Sequence, residues 1–435
     1  MAEPVIVIFD VGKTNKKILL YNSSFEVVSE KSAHLGEITD EDGDPCEDLS
    51  GLTDWLLLSF REVLENSSWH LRGVNFSGYG ASFVYLDQNG VVIPPLYNYL
   101  KPYPESINER FYGAWGGKDT LCVQTSSPAL GSLNSGLQLL RIRDQQPDKF
   151  SRIDVALHLP QYLSWLITRQ KITDLTSIGC HTHLWDFRRH QYHAWVKGEG
   201  LLTKLAPLMA DHAQFKVADG IIAGTGLHDS SAALIPYLKQ FERPFVLIST
   251  GTWSISLNPF NHLPLTPREL QQDCLCYLTH DGKPVKASRL FAGHWHEEGV
   301  DAIARRFSIT AKDVLQETEN PRLLTWALAT LGGQSAPDDT LSDAAIAYGE
   351  LVIGLVKKQK LATDLVLTPG VRVIYVDGGF SRNQLFMRLL ASVYPRHEVY
   401  AATVSQASAL GAAMALSGLF SAPANAVQTR LVSSR

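Results

Sequence analysis

Cysteine is scarce and odd in number, five in 435 residues. That excludes a small fold stapled by a disulfide framework and leads us to expect a reducing compartment. Cationic excess is missing too. The 39 Lys and Arg are outnumbered by 44 Asp and Glu, a net charge of −5, which gives no electrostatic basis for binding nucleic acid or an anionic membrane. No apolar run approaches the roughly 20 residues that cross a bilayer. The opening Met-Ala-Glu-Pro carries an acid and leads straight into a strand pattern, so no signal peptide is expected. Low-complexity segments are lacking as well. The expectation is a cytoplasmic protein with neither nucleic acid nor membrane as partner. What remains is an ordinary globular mixture, 45% hydrophobic and 19% charged. The chain is longer than one compact core usually accommodates, so two domains are expected.

Apolar runs at residues 5–9 and 18–21 flank the stretch FDVGKTNKK, and 25–29 reads as a third strand after the Asn22-Ser23-Ser24 turn. This is a meander. The spacing then predicts a helix over 52–64 with Thr53 as its cap, and strands over 73–78 and 83–87, the latter before a Gln88-Asn89-Gly90 hairpin turn. Residues 130 to 215 carry Trp and Leu at helical core spacing, and a helix over 234–239 is broken at 241–244. The opening pattern then recurs: a strand over 245–249, the small turn Thr250-Gly251-Thr252, and a second strand over 253–257. A strand over 373–376 runs into Asp377-Gly378-Gly379 and a helix over 384–393, and an Ala/Leu-rich helix is expected over 407–416. Residues 334–339 are expected to be the least ordered.

The Gly12-Lys13-Thr14 triplet echoes a P-loop, but G-x-x-x-x-G-K-[ST] needs a glycine where Val7 stands and a helix where residues 17–21 are strand-like. The P-loop is rejected. A hairpin turn can still grip phosphate: Gly12 lets the backbone approach, successive N–H groups form an anion site, and Thr14, Asn15 and Lys17 add donors. Asp10 stands where a hydrated Mg²⁺ would need a carboxylate. A plain Asp/Gly turn with solvated lysines fits the same residues. Asp229, at the start of a helix, reads either as a cap or as a general base. The Gly378-Gly379 pair lacks the G-x-G-x-x-G spacing yet permits close approach of a base or ribose. His181, His183, His190 and His193 beside Cys180 have no recognised zinc spacing and read better as core or surface histidines, and Cys274 and Cys276 share one strand face.

Five segments, in order, resemble the FGGY carbohydrate kinases. Residues 10–17 resemble the first phosphate loop, and Gly226-Leu-His-Asp-Ser230 the segment with the catalytic Asp, here Asp229. Ser249-Thr-Gly-Thr-Trp253 resembles the second phosphate loop, residues 377–383 the adenosine segment, and Ala407-Ser-Ala-Leu-Gly411 the closing helix. Thr14-Asn15 and the run 79–87 are similar to the L-rhamnulose/L-fuculose kinase branch. The resemblance implies an α/β fold of two RNase H-like domains, of actin/hexokinase/Hsp70 type, around a central cleft. It implies a sugar-binding domain over 1–238 and a nucleotide-binding domain over 239–435. ATP and Mg²⁺ are the implied cofactors and a small sugar, a ketose, the partner, in a chain expected to pair as a homodimer. Gly12, Lys13, Thr14, Asn15, Lys17, Thr250, Gly251, Thr252, Gly378, Gly379 and Asn383 would hold ATP, and Asp10 the metal. Tyr79, Gly80, Ser82 and His228 would hold the sugar. Departures are concentrated there: Tyr79 and Ser82 replace the branch's Trp and Asp, Gln161 stands where Asp is usual, and Lys13 replaces a small residue. They leave a sugar-responsive regulator of the same fold as the alternative to a kinase.

Overall fold

The computed structural model describes residues 2–209, 213–334, 338–421 and 425–433. Part of the 334–339 stretch, residues 335–337, lies outside them. Two mixed sheets organise the chain. The first contains β1 (Glu3–Val11), β2 (Lys16–Tyr21), β3 (Val27–Ala33), β4 (Trp69–Gly78), β5 (Gln214–Lys216), β6 (Ile222–Gly224) and β7 (Leu227–His228). Its order is β5-β6-β4-β1-β2-β3, with β7 also on β4. The apolar run 5–9 is fully buried, as a central strand covered on both faces requires. The second sheet contains β8 (Phe245–Thr250), β9 (Ser254–Asn258), β10 (Cys274–Leu278), β11 (Pro284–Leu290), β12 (Val373–Gly378), β13 (Glu398–Thr403) and β14 (Gln428–Leu431), ordered β10-β11-β9-β8-β12-β13-β14.

Both sheets are threaded the same way. In each, an antiparallel meander (β1-β2-β3, and β8-β9-β11) is followed by two strands laid parallel to its first member (β4 and β6, and β12 and β13). This is the expected pair of RNase H-like sheets.

Helices fill the faces. The first, α1 (Leu49–Glu65), turns Leu49, Leu52, Leu56 and Val63 inward. It starts earlier than the pattern predicted, because Asp48 accepts the Gly51 N–H at 3.0 Å and so caps it. Thr53 is inside the helix, its hydroxyl on the Leu49 carbonyl and the Tyr162 hydroxyl. The second, α2 (Asp229–Gln240), leads from the first sheet towards the second; residues 238/239 fall in its last turn. Over the second sheet lie α3 (Ala292–Phe307) and α4 (Gln384–Val393), and α5 (Ala407–Met414) follows. The 130–215 region is less helical than its Trp and Leu spacing predicted. Beyond Thr168 its α-helices shrink to four and five residues, because positive φ at Arg169, His181, His183 and His190 interrupts them. Trp185 and Trp195 are core residues of tertiary packing there. Among the described residues, no helix is long and apolar enough to cross a membrane.

Although α5 follows most of the second sheet in sequence, it packs on the first. Asn75 of β4 donates to the Ala412 carbonyl at 2.8 Å. A Cβ on Gly411 would lie 1.8 Å from the Ala232 carbonyl oxygen of α2, so only glycine lets the two helices cross this closely. Gly354, inside the helix Asp343–Asp364, is different: a Cβ there would meet nothing within 4 Å. Gly411→Val is therefore expected to cost at least about 2 kcal/mol, whereas Gly354→Ala should gain about 0.5–1 kcal/mol. Denaturant melts of the two variants check the contrast; equal effects would contradict the crossing geometry.

Candidate active site

The parallel strands β1, β4 and β7 end side by side. Asp10 is in register with Ser77, and Ser77 with Leu227, so Asp10 and the residues following β7 reach the same carboxyl edge of the sheet. Ligands of open α/β sheets bind at such edges. Asp229 is the first residue of α2 there, and Ser408 of α5 donates to Asp10 Oδ2 at 2.9 Å. Burial raises the Asp10 carboxyl above its ordinary range, and the negative charge of Asp229 pushes the same way. The Ser77 and Ser408 hydroxyls and the Lys17 ammonium oppose that rise. Asp229 keeps 36% of its side chain open to the cleft, yet the protein packed around it raises its carboxyl to about 6, despite hydrogen bonds from Ser230.

The turn after β1 is closed by the Gly12 N–H on the Asn15 carbonyl at 3.0 Å, with Thr14 and Asn15 exposed at its tip. Its lysines are engaged by carboxylates. Lys13 reaches Glu37 at 2.6 Å and lies 3.7 Å from Glu47, and Lys17 contacts Glu30 at 3.0 Å and Gln406 at 3.1 Å. Sequence reasoning missed Lys16, which is 1% exposed and pairs with the equally buried Glu47 at 2.6 Å. Tyr79 gives its hydroxyl to the other Glu47 oxygen at 3.1 Å. The expected sugar residue thus belongs to a Lys16–Glu47–Tyr79 network that ties the first turn to the β4 loop.

The sister turn after β8 is closed by Gly251 N–H on the Trp253 carbonyl at 2.8 Å. Thr250 faces inward: its hydroxyl donates to the Asp377 carbonyl and accepts from Phe380 N–H at 3.0 Å. Gly378, at φ +86°, passes so close that a Cβ would fall 1.9 Å from the Thr250 carbonyl oxygen. Gly251, Thr252, Gly293, Gly379, Phe380 and Asn383 line a cavity of about 470 Å³ together with His296, Glu297 and Arg382. The structure therefore gathers the Thr250–Thr252 turn and the Gly378–Asn383 segment around one space. Asn383 caps α4 by accepting from Phe386 N–H and donates to the Tyr348 hydroxyl.

Gly80 and His228 meet: a Cβ on Gly80 would lie 2.6 Å from Cys180 Sγ and 2.9 Å from the His228 ring. His228 is 4% exposed, hydrogen-bonded to Cys180 at 2.9 Å and stacked on Tyr277 of the second sheet. Burial lowers its imidazole to about 3, so the ring is neutral. Ser82 Oγ, Gln161 Oε1, His158 Nδ1 and His228 Nδ1 are buried without a hydrogen-bond partner among the described residues. Such orphaned groups are costly unless a polyhydroxylated ligand or water meets them. Three of the four clustered histidines disperse. His183 bonds Tyr112 and Thr125 in the core, His190 sits in an exposed turn, and His193 bonds Gln124. Tyr277 and Glu47 are distant in sequence from the motifs; Lys16 stands inside the 10–17 stretch, and only its place in an apolar strand could have marked it as buried.

Residues 5–197 match the model of the FGGY family of carbohydrate kinases, N-terminal domain. Over this stretch the chain is similar to the FGGY carbohydrate kinases. A rhamnulokinase of Oceanobacillus iheyensis is 22% identical over 236 residues, 51% of this chain and 48% of that protein. The L-fuculokinase of Escherichia coli is 19% identical over 273 residues, 59% of this chain and 56% of that protein. The chain spans about half the length of the curated relatives it matches. A carbohydrate kinase from Novosphingobium aromaticivorans superposes with a TM-score of 0.81 at 22% identity, covering 97% of this chain and 95% of that one. The fold is thus the two-domain fold of these kinases.

The buried Lys16–Glu47 pair generates a prediction. Removing one partner strands a charge, so Lys16→Met is expected to cost about 3–5 kcal/mol, and Lys16→Met with Glu47→Leu much less than the sum of the two single changes. A double-mutant cycle by urea unfolding measures this; strict additivity would contradict the pairing.

Proposed function

We propose that the chain is an ATP-dependent kinase that transfers the γ-phosphate to a hydroxyl of a ketose of the rhamnulose/fuculose type. The observation that carries it is the pair of alike strand–turn–strand units with Asp10 and Asp229 at the strand ends beside one of them. The kinase-family match of residues 5–197 and the rhamnulokinase and fuculokinase relatives support it. The division 1–238 for sugar and 239–435 for nucleotide belongs to the same proposal, with α5 reaching back to Asp10.

Phosphoryl transfer rests on positioning and on charge stabilisation more than on covalent chemistry. The backbone N–H groups of the two turns, with Thr14, Asn15 and Thr252, would surround the phosphates. Gly379 and Asn383 would border the nucleoside in the 470 Å³ cavity, with Gly378 next to them against the Thr250 carbonyl. Lys13 and Lys17 would exchange a carboxylate for phosphate, since both are paired without it. Asp10 fits a divalent cation: it is a desolvated carboxylate whose acidity is further weakened by the facing Asp229 charge. Mg²⁺ held there would neutralise phosphate charge. Asp229 would accept the proton of the attacking hydroxyl, and a carboxyl raised to about 6 is a stronger base than an ordinary one while still ionised at neutral pH. His228, Gly80 and Ser82 would border the sugar, with Tyr79 behind them through Glu47. Neutral His228 can accept as well as donate hydrogen bonds to hydroxyls.

The test is ADP release against a panel of L- and D-ketoses, pentitols and deoxyketoses. Turnover on a ketose is expected; ketose binding without ADP release would favour a sugar-responsive regulator. Asp229→Asn should lower kcat by about 10²–10⁴-fold while leaving ATP affinity within about twofold. Because the base acts ionised, wild-type kcat should fall as pH drops through about 6. Near-normal turnover in Asp229→Asn, or a pH profile flat through that window, would refute the assignment. Folding desolvates this carboxylate, so its raised value destabilises the wild type as pH rises from 3.8 to about 6. Asp229→Asn should therefore raise Tm at pH 7 and lose that gain below pH 4, as thermal scans at the two pH values would show.

A further inference from the structure

One of the four clustered histidines joins a different group. Cys180, His181 and His228 each offer one ligand atom, and these atoms all lie within 4.8 Å of one another. Cys180 Sγ is 2.9 Å from His228 Nε2, and Asp229 Oδ1 is 3.3 Å from the same nitrogen. A tetrahedral zinc ion, with sulfur at about 2.3 Å and nitrogen at about 2.0–2.1 Å, sets ligand separations of about 3.3–3.6 Å. The nitrogen–carboxylate spacing already meets this, and the sulfur–nitrogen spacing does so once the two side chains part by roughly half an ångström.

The surroundings favour a soft cation over Mg²⁺. Thiolate and imidazole are soft or borderline donors, whereas Mg²⁺ prefers oxygen. His181 Nδ1 lies 3.0 Å from the Leu133 carbonyl, which can only accept, so that nitrogen carries the proton and Nε2 keeps its lone pair. This is the outer support that metal-binding histidines use. Tyr277 stacks on the His228 ring with centroids 5.6 Å apart, which restrains its orientation. Half-buried His181 and the cleft-facing Asp229 provide the way in.

We propose that Cys180, His181 and His228 form a site for one zinc-class divalent cation, next to Asp229, whose occupancy silences the kinase. On binding, the Cys180 S–H bond breaks as the sulfur–metal bond forms, the proton leaves to solvent, and no group is oxidised or reduced. A cation beside the Asp229 carboxylate weakens it as an acceptor of the sugar's proton. The silencing half rests on the kinase reading above; the metal site does not.

Metal-stripped full chain is titrated with Cd²⁺, reading the ultraviolet thiolate-to-metal charge-transfer band, and with Co²⁺, reading the visible spectrum of a tetrahedral site. One equivalent is expected to bind. Loss of an outer-shell partner alone costs about 10–100-fold in affinity, so Cys180→Ser should weaken binding at least tenfold, while Cys274→Ser keeps the band. No band in the wild type, or a band that survives in Cys180→Ser, overturns the site. Cys180→Ala serves in place of the serine variant where the latter does not fold. Turnover measured with and without Zn²⁺ tests the silencing: the inhibiting Zn²⁺ concentration should rise at least tenfold in the variant, and unchanged inhibition overturns it. A chain with the band and no turnover retains the metal site and refutes the kinase reading. An active kinase without the band does the reverse.

Discussion

Two carboxylates placed at neighbouring strand ends, neither fully solvated, set the terms for everything around them. The charge of Asp229 adds to the proton affinity of Asp10, but burial is the larger cause there and the leading one at Asp229. A protein tolerates such a pair where something else on the site supplies positive charge or hydrogen bonds. Ser77, Ser408 and Ser230 supply part of that, and Lys17 a little more. The remainder is the electrostatic opening that a metal–nucleotide would fill. The same desolvation that weakens folding would strengthen Asp229 as a base, so in the proposed kinase stability would be given up where the chemistry needs it.

The helix crossing serves this pair. Ser408 can reach Asp10 because α5 returns from the second sheet to the first, and α5 fits there because Gly411 lets its backbone touch the Ala232 carbonyl. The Asp229 carboxylate rides on the first turn of α2, the other helix of the crossing. Any motion of one lobe relative to the other would therefore act directly on both acidic groups. Tyr277 adds a third link, since it is carried by the second sheet yet stacks on His228.

The two hairpins were legible in the sequence because each is a local object: an apolar strand, a Gly turn and a second strand within about fifteen residues. The helix over 384–393 was legible for the same reason, with Asn383 as its cap. Parts built from distant segments were not. Lys16–Glu47–Tyr79 joins β2, the end of the short strand Pro45–Glu47 and the residue after β4, and no spacing rule connects them. The helix start at Leu49 was hidden because Asp48, rather than Thr53, supplies the cap. Beyond Thr168 the spacing overstated the helix content, because Trp185 stands in a two-residue strand and Trp195 in a five-residue helix, both buried by tertiary contact. The histidines illustrate both outcomes: their sequence clustering was misleading, and the grouping of His181 with Cys180 and His228 needed the fold.

The proposed kinase requires one nucleotide that spans the two turns, with an acceptor hydroxyl at Asp229. A crystal structure with a non-hydrolysable ATP analogue, Mg²⁺ and a ketose measures this directly. It should place the polyphosphate between residues 12–15 and 250–252, the nucleoside beside Gly378 and Gly379, and a ketose hydroxyl within hydrogen-bond reach of the Asp229 carboxylate. Nucleotide bound away from both turns, or a ketose whose hydroxyls all lie beyond the reach of Asp229, would contradict it.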